Sequence, residues 1–283
     1  MEENKTLAAA HAQEVDSGQR FQFGRNWTDF LASLNERRII EAEDSLKDML
    51  GVGGLLGKSF LDIGSGSGLF SLAARRLGAR VHSFDYDPHS CASTAELRRR
   101  YSPEDDAWKV EQGSVLDKRY LESLGQFDIV YSWGVLHHTG AMWQALENVA
   151  FIVRPAGNLF IAIYNDQGKR SLQWQSIKKA YNRLPEGLRF LVLWPAFAKM
   201  WWRRLLKDLL VGKPTQSFQN YKGCRGMSLW HDAVDWVGGY PFEVAKPEQI
   251  FDFYHKRGFN LIRMKTQGGD LGCNEFVFVR QKK

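Results

Sequence analysis

The stretch Ser59-Phe60-Leu61-Asp62-Ile63-Gly64-Ser65-Gly66-Ser67-Gly68-Leu69-Phe70 decides how the rest of the chain is read. Phe60, Leu61 and Ile63 make a short apolar run suited to a buried strand, and the glycines after it force a turn. Leu69, Leu72, Ala73 and Leu77 follow at helical spacing, and Gly78 sits where a helix would stop. Strand, glycine turn and helix bring main-chain N–H groups against a nucleotide, because glycine has no side chain to hold it away. A flexible Gly/Ser loop has the same composition, but the flanking strand and helix favour the nucleotide reading. A dinucleotide site needs G-x-G-x-x-G with its third glycine at 69, and that position is Leu69. The pattern is G-x-G-x-G, with Asp62 two residues before Gly64.

A second landmark agrees. Arg80-Val81-His82-Ser83-Phe84-Asp85 reads as a strand ending in an acid, followed by Tyr86, Asp87 and Pro88. A carboxylate there can accept both hydroxyls of a ribose. The glycine turn and this acid together resemble the cofactor site of class I S-adenosylmethionine-dependent methyltransferases. The resemblance covers about residues 55–165 and 246–281. It implies an α/β fold, a Rossmann-like, doubly wound, seven-stranded sheet, with S-adenosylmethionine held by Asp62, Gly64, Ser65, Gly66, Gly68, Asp85, Tyr86, Ser114, Val115, Trp133 and His137. In these enzymes an acid often meets the adenine amino group after the third strand; here the residue is Ser114, with Asp117 three residues on.

Strand four, Phe127–Trp133, runs into Gly134-Val135-Leu136-His137-His138-Thr139. Its carboxyl end faces the crevice where ligands bind in this architecture. A V-L-H-H-T sequence there resembles small-molecule methyltransferases, including those of quinone biosynthesis. Two histidines at this place make proton transfer by His138 a specific expectation, weighed against a purely structural role. Strand five is expected at Asn158–Tyr164, after a turn at Arg154–Gly157.

About eighty residues then separate strand five from the next expected helix at Pro247, far more than a direct connection needs. Residues 166–246 hold 14 Lys/Arg against 6 Asp/Glu, net +8, so the overall +6 leaves −2 for the rest. This insertion also carries six of the ten tryptophans. Three readings stand: a helical subdomain packed on the core or a second subunit, a lid over the acceptor, or a basic amphipathic surface touching a membrane. Its longest uncharged run, Phe190–Ala198, is nine residues, whereas a span needs about twenty. No recognised RNA-binding module is present, and the aromatics look amphipathic, which argues against nucleic acid as the partner. Trp230, His231, Asp232 and Asp235 interleave aromatic and polar groups as a ligand pocket does, and an aspartate could orient His231 as a base.

The expected organisation is an N-terminal helical segment (1–54), a cofactor-binding core (55–165), the insertion (166–245) and a C-terminal helix with an antiparallel strand pair (246–283). Residues 1–20 read as loose or marginally helical. One helix, capped by Asn26, is expected from there to about Leu50. Phe23, Trp27 and Tyr164 join Trp230 and Asp235 as expected acceptor-side residues, and His138, His231 and Asp232 as catalytic ones. Cys91, Cys224 and Cys273 are far apart with no C-x-x-C pair, so neither a zinc site nor a disulfide framework is expected. The opening residues have no apolar run, and the expectation is a cytoplasmic protein. The implied function is methyl transfer to a small-molecule acceptor, with O-methylation favoured by the available histidines. Two alternatives remain: modification of RNA or protein through the basic insertion, and cofactor binding without turnover.

Overall fold

The computed structural model describes residues 2–213, 216, 229–268 and 270–282, with the side chains of residues 2–5, 25, 26, 28, 29, 33, 203, 204 and 229–232 outside the description. Seven strands form one sheet: β1 (Ser59–Ile63), β2 (Arg80–Asp85), β3 (Trp108–Gln112), β4 (Phe127–Trp133), β5 (Val153–Tyr164), β6 (Phe259–Lys265) and β7 (Cys273–Arg280). Their order is β3-β2-β1-β4-β5-β7-β6. β1 to β5 pair in parallel, and β7 runs antiparallel to both neighbours. The order reverses between β1 and β4, so the ligand crevice of such a sheet opens there, outside the strands' carboxyl ends.

On one face α7 (Met142–Phe151) and α11 (Pro247–His255) cover the sheet, burying Leu146, Val149, Ile250 and Tyr254 against Leu159, Phe276 and Phe278. On the other, α3 (Glu36–Leu50) and α4 (Leu69–Arg76) bury Ile39, Leu46, Leu72 and Ala73 against Phe60, Tyr131 and Phe160. Between β5 and α11 lie α8 (Lys169–Arg183), α9 (Phe190–Leu210) and α10 (Leu229–Gly238). Trp174, Tyr181, Leu193, Ala196 and Val237 of these helices share a third apolar cluster with Phe21.

Two local expectations, the long helix and the start of β5, are corrected, and the open reading of the N-terminal residues is decided for a helix. The helix expected from Asn26 to Leu50 is two helices, α2 (Gly24–Ser33) and α3, because Leu34 turns extended and the Asn35 side-chain Oδ1 caps α3 by accepting from the Arg38 N–H at 3.2 Å. Asn26 therefore lies inside α2. The N-terminal residues form a helix, α1 (Glu2–Asp16), whose His11 is buried 3.6 Å from the Asp87 carboxylate. β5 starts at Val153, before the expected turn, and absorbs Arg154–Gly157 with a register shift against β4 between Phe127 and Ile129. Gly157 is required there: a Cβ would lie about 3 Å from the carbonyl oxygens of Arg154, Asp128 and Phe127.

A buried polar chain runs under the glycine turn. Trp108 Nε1 donates to Ser83 Oγ at 2.9 Å, Ser83 Oγ to Ser71 Oγ at 2.6 Å, and Ser71 Oγ to the Asp62 carboxylate at 2.5 Å. All four side chains are buried, and the chain links β3, β2, α4 and β1. Replacing Ser83 by Ala leaves the indole N–H without its acceptor and should cost about 1–3 kcal/mol. Urea unfolding of Ser83→Ala checks it; a loss below about 0.5 kcal/mol, the range of neutral surface changes, would show that the chain adds no stability.

Candidate active site

A cavity of about 860 Å³ opens where the strand order reverses, within the range of small-molecule sites. One end is made by the segments that follow β1, β2 and β3. Gly64, Ser65, Gly66 and Ser67 line it, as do Asp85, Tyr86, Gly113, Ser114 and Val115. The turn holds its shape through α5 (Pro88–Tyr101): Ser65 Oγ donates to Thr94 Oγ1 at 2.9 Å, and Thr94 Oγ1 donates to the Gly66 carbonyl at 3.2 Å. Gly64 has φ +74°, and a Cβ there would collide with Val135. At Gly66 a Cβ would stand 3.0 Å from the Trp27 indole, so the bare backbone lets that ring close over the turn.

Asp85 accepts the Gly66 N–H at 3.0 Å on one carboxylate oxygen and the Asp87 N–H at 2.9 Å on the other. Burial is the larger influence and pushes its pKa up to about 7, against the two N–H bonds. Asp87 accepts the N–H groups of Gly24 and His89, each at 2.8 Å, and so ties α2 to the end of β2. Tyr86 OH donates to Glu14 at 3.2 Å, and the Arg20 guanidinium lies 4.8 Å above its ring. Arg20 also donates to Glu14 at 2.5 Å and to the His138 carbonyl at 2.9 Å. One arginine thus connects α1, the end of β2 and the exit of β4.

The other end of the cavity is aromatic. Phe23, Tyr164, Trp201 and Trp236 line it with Met200, Asp235 and the β7 residues Cys273 and Glu275. His138 stands between the two ends, its ring 4.9 Å from that of Phe23. Its Nδ1–H donates to the Pro241 carbonyl at 2.6 Å, which leaves the lone pair on Nε2. Burial, aided by the charge of Lys178, lowers its pKa to about 3, so the ring is neutral. His137 is fully buried and outside the cavity; the Tyr164 N–H donates to its Nδ1 at 3.4 Å, and its Nε2 has no hydrogen-bond partner.

Among the expected site residues, the structure therefore brings Gly64, Ser65, Gly66, Asp85, Tyr86, Ser114, Val115, Trp133, Phe23, Trp27, His138, Tyr164 and Asp235 around one cavity. Asp62 and Gly68 are placed elsewhere: Asp62 ends the buried polar chain, and Gly68 packs on Thr94 as α4 begins. The side chains of Trp230, His231 and Asp232 lie outside the described residues, although their backbone belongs to α10.

Lys178 is a group the sequence reading missed. It is fully buried, its ammonium 4.5 Å from the Trp236 ring centroid, 4.8 Å from that of Phe242, and bonded to the Trp236 carbonyl. Burial, opposed by Asp235, brings its pKa down to about 7. Nothing in Lys178-Lys179 distinguishes it from a solvated pair. His11, Glu14 and Arg20 were missed because α1 has almost no amphipathic pattern.

Comparison with known proteins agrees with the fold. Residues 61–159 match the family model described as "Methyltransferase domain". The ubiquinone biosynthesis O-methyltransferase of Aeromonas salmonicida (strain A449) is 30% identical over 120 residues, 42% of this chain and 49% of that protein. The chain thus spans about half the length of the curated relatives it matches. Among solved structures, magnesium protoporphyrin IX methyltransferase from Synechocystis PCC 6803 with bound SAH superposes with a TM-score of 0.50 at 14% identity, covering 86% of this chain and 83% of that one. PKMT2 from Rickettsia typhi in complex with AdoHcy gives 0.54 at 14% identity, over 85% and 52%. The core of this chain is a class I S-adenosylmethionine-dependent methyltransferase fold, and its segment 61–159 is a methyltransferase domain.

The raised Asp85 pKa has a consequence for the free protein. Its carboxyl binds a proton more tightly folded (about 7) than at the ordinary value of 3.8. This contribution is fully present below about pH 4 and is lost as pH rises through about 7. Because Asp85 lines the cavity and is only partly buried, the loss should be about 1–2 kcal/mol rather than the full shift. Urea midpoints of wild type and Asp85→Asn from acid to neutral pH test it: the variant should lack this part of the slope, and identical slopes would refute the assignment.

Proposed function

We propose that this chain transfers a methyl group from S-adenosylmethionine to a small-molecule acceptor, with a hydroxyl oxygen as the favoured acceptor atom. The single observation that carries the reading is the continuous cavity: a glycine turn and acid at one end, an aromatic chamber at the other, and a neutral His138 between them. The fit to the cofactor rests on the Gly66 cradle under Trp27 and on Asp85, a carboxylate with the geometry to accept ribose hydroxyls. Gly113–Val115 and Tyr86 would flank the base. Bound there, S-adenosylmethionine supplies a methyl group already activated by the sulfonium charge.

The chain's own residues then have positioning to do. Holding two reactants in line lowers the barrier without any charged catalyst. Phe23, Trp201 and Trp236 exclude water and offer flat apolar walls to an acceptor. His138 Nε2 can accept a hydrogen bond from an acceptor hydroxyl and so turn an oxygen lone pair toward the transfer line. With a pKa of about 3 the ring is a weak base, so it orients the hydroxyl first and takes the proton only as the oxygen becomes acidic during transfer.

Two outcomes are expected. Affinity for S-adenosylhomocysteine, measured by calorimetry, should fall as pH drops through about 7, because protonated Asp85 loses a carboxylate lone pair needed by the ribose. Asp85→Ala should lose about 1.5–3 kcal/mol at pH 8 and the pH dependence with it; failure of the wild type to bind would end the methyltransferase reading. In single-turnover assays over a panel of phenols and alcohols, His138→Ala should lose about 10²–10⁴ in rate at unchanged cofactor affinity. His138→Gln, which keeps a hydrogen-bond acceptor, should restore part of it. Rates of His138→Ala within about threefold of wild type would leave His138 without a catalytic part.

A further inference from the structure

The inner and outer faces of α9 differ in kind. Inward, Leu193 and Ala196 are buried with Trp174 and Tyr181, and Met200 and Trp201 wall the cavity. Outward, Leu191, Trp194, Trp202, Leu206 and Leu209 recur at three-, four- and eight-residue spacing along one side. Leu191 is 55% exposed, Trp194 56%, Trp202 51% and Leu209 63%. At the end of the helix Leu210 and Val211 prolong the ridge at 79% and 59%. A row of large apolar groups this exposed marks a contact surface rather than a solvated helix face.

What covers the ridge is indicated by its charge. Lys199 is exposed on its flank, Lys207 is exposed further round the last turn of the helix, and Lys213 is exposed just beyond its end. Among the described residues of α9 the only acid is Asp208, and it is buried. Apolar ridge, interfacial tryptophans and a cationic border are the three features of a helix that lies in the plane of a lipid surface. No described helix is long and apolar enough to cross a membrane, so the contact is peripheral. A second copy of the chain suits the ridge less well: a two-fold interface repeats the same patch on both sides and would bring lysines to lysines with no exposed acid of the helix to meet them.

We propose that the outer ridge of α9 docks on the surface of an anionic bilayer. The docking stands on exposure and charge alone; only its consequence for acceptor entry, through a cavity walled by Met200 and Trp201 of the same helix, rests on the methyl-transfer reading.

Co-sedimentation tests it with vesicles of phosphatidylcholine alone and of phosphatidylcholine mixed equally with phosphatidylglycerol. The full chain should partition onto the mixed vesicles, and added salt should weaken it. Lys199→Gln/Lys207→Gln should bind about thirty-fold more weakly, the effect of two lysines near a charged surface. Leu206→Asp/Leu210→Asp should lose at least tenfold, with the circular dichroism and S-adenosylhomocysteine affinity of both variants unchanged. Absence of wild-type binding to the mixed vesicles, or equal binding by wild type and both variants, overturns the proposal. So does a wild-type dimer, seen by sedimentation velocity, that Leu206→Asp/Leu210→Asp dissociates, since the ridge would then belong to a second copy. Wild-type protein that binds vesicles but no S-adenosylhomocysteine would sink the methyl-transfer reading and leave the docking surface standing.

Discussion

The buried carboxylate of Asp62 is the constraint on which the glycine-turn end of the cavity depends. A carboxylate so deeply enclosed needs hydrogen bonds, and it takes one from Ser71 at 2.5 Å. Ser71 in turn is fed by Ser83 and Ser83 by Trp108, so the donors all point one way along the chain. These bonds tie α4 to β1 and β2 at Ser71, directly after residues 64–68. Asp62 thus acts on the site from below. An acid two residues before the first glycine has a physical reason to be there even though it does not line the cavity.

The aromatic end is built on a different principle. There the walls come from segments remote in sequence, Phe23 before the sheet, Tyr164 at the end of β5, Trp201 in α9 and Trp236 in α10. Lys178 holds several of them in register: its ammonium is desolvated among Trp236, Phe242 and Tyr164 and bonds the Trp236 carbonyl. Nearby, the Asn182 amide donates to the Gly238 carbonyl at 2.6 Å, a second tie between α8 and α10. A buried lysine is costly unless its surroundings compensate, and aromatic faces supply part of that compensation. Burial above all, with the same charge adding to it, keeps His138 neutral, so the packing of α8 and α10 and the protonation of the histidine are one electrostatic problem.

This contrast explains what was legible in the sequence. Strand order, the glycine turn and Asp85 could be read because main-chain geometry imposes local patterns: glycines at 64 and 66, an acid at a strand end. His138 could be read because it follows β4 directly. Arg20 and Glu14 could not, since their role depends on α1 reaching Tyr86 and the His138 carbonyl across the fold. Asp62 was legible as an important acid and misplaced, because spacing shows where a residue lies along a strand but not which side of the turn it serves. The break at Leu34–Asn35 was hidden by an apolar periodicity that continues through it, and the start of β5 by an Arg-Pro-Ala-Gly run that reads as a turn but pairs across a bulge.

The division also bears on where specificity resides. A site made of main-chain atoms tolerates little change, because its glycines are pinned by contacts such as Val135 over Gly64 and Trp27 over Gly66. A wall made of side chains from α9 and α10, packed on α8, can alter its packing without disturbing the glycine turn. Arg20 is the exception that joins them, since it touches Tyr86 on one side and the His138 carbonyl on the other. Its guanidinium is planar and multiply donating, so it can stack on one partner and donate to the other in one fixed geometry. Through Arg20 the position of α1 is thereby tied to the backbone of His138, whose ring stands in the cavity.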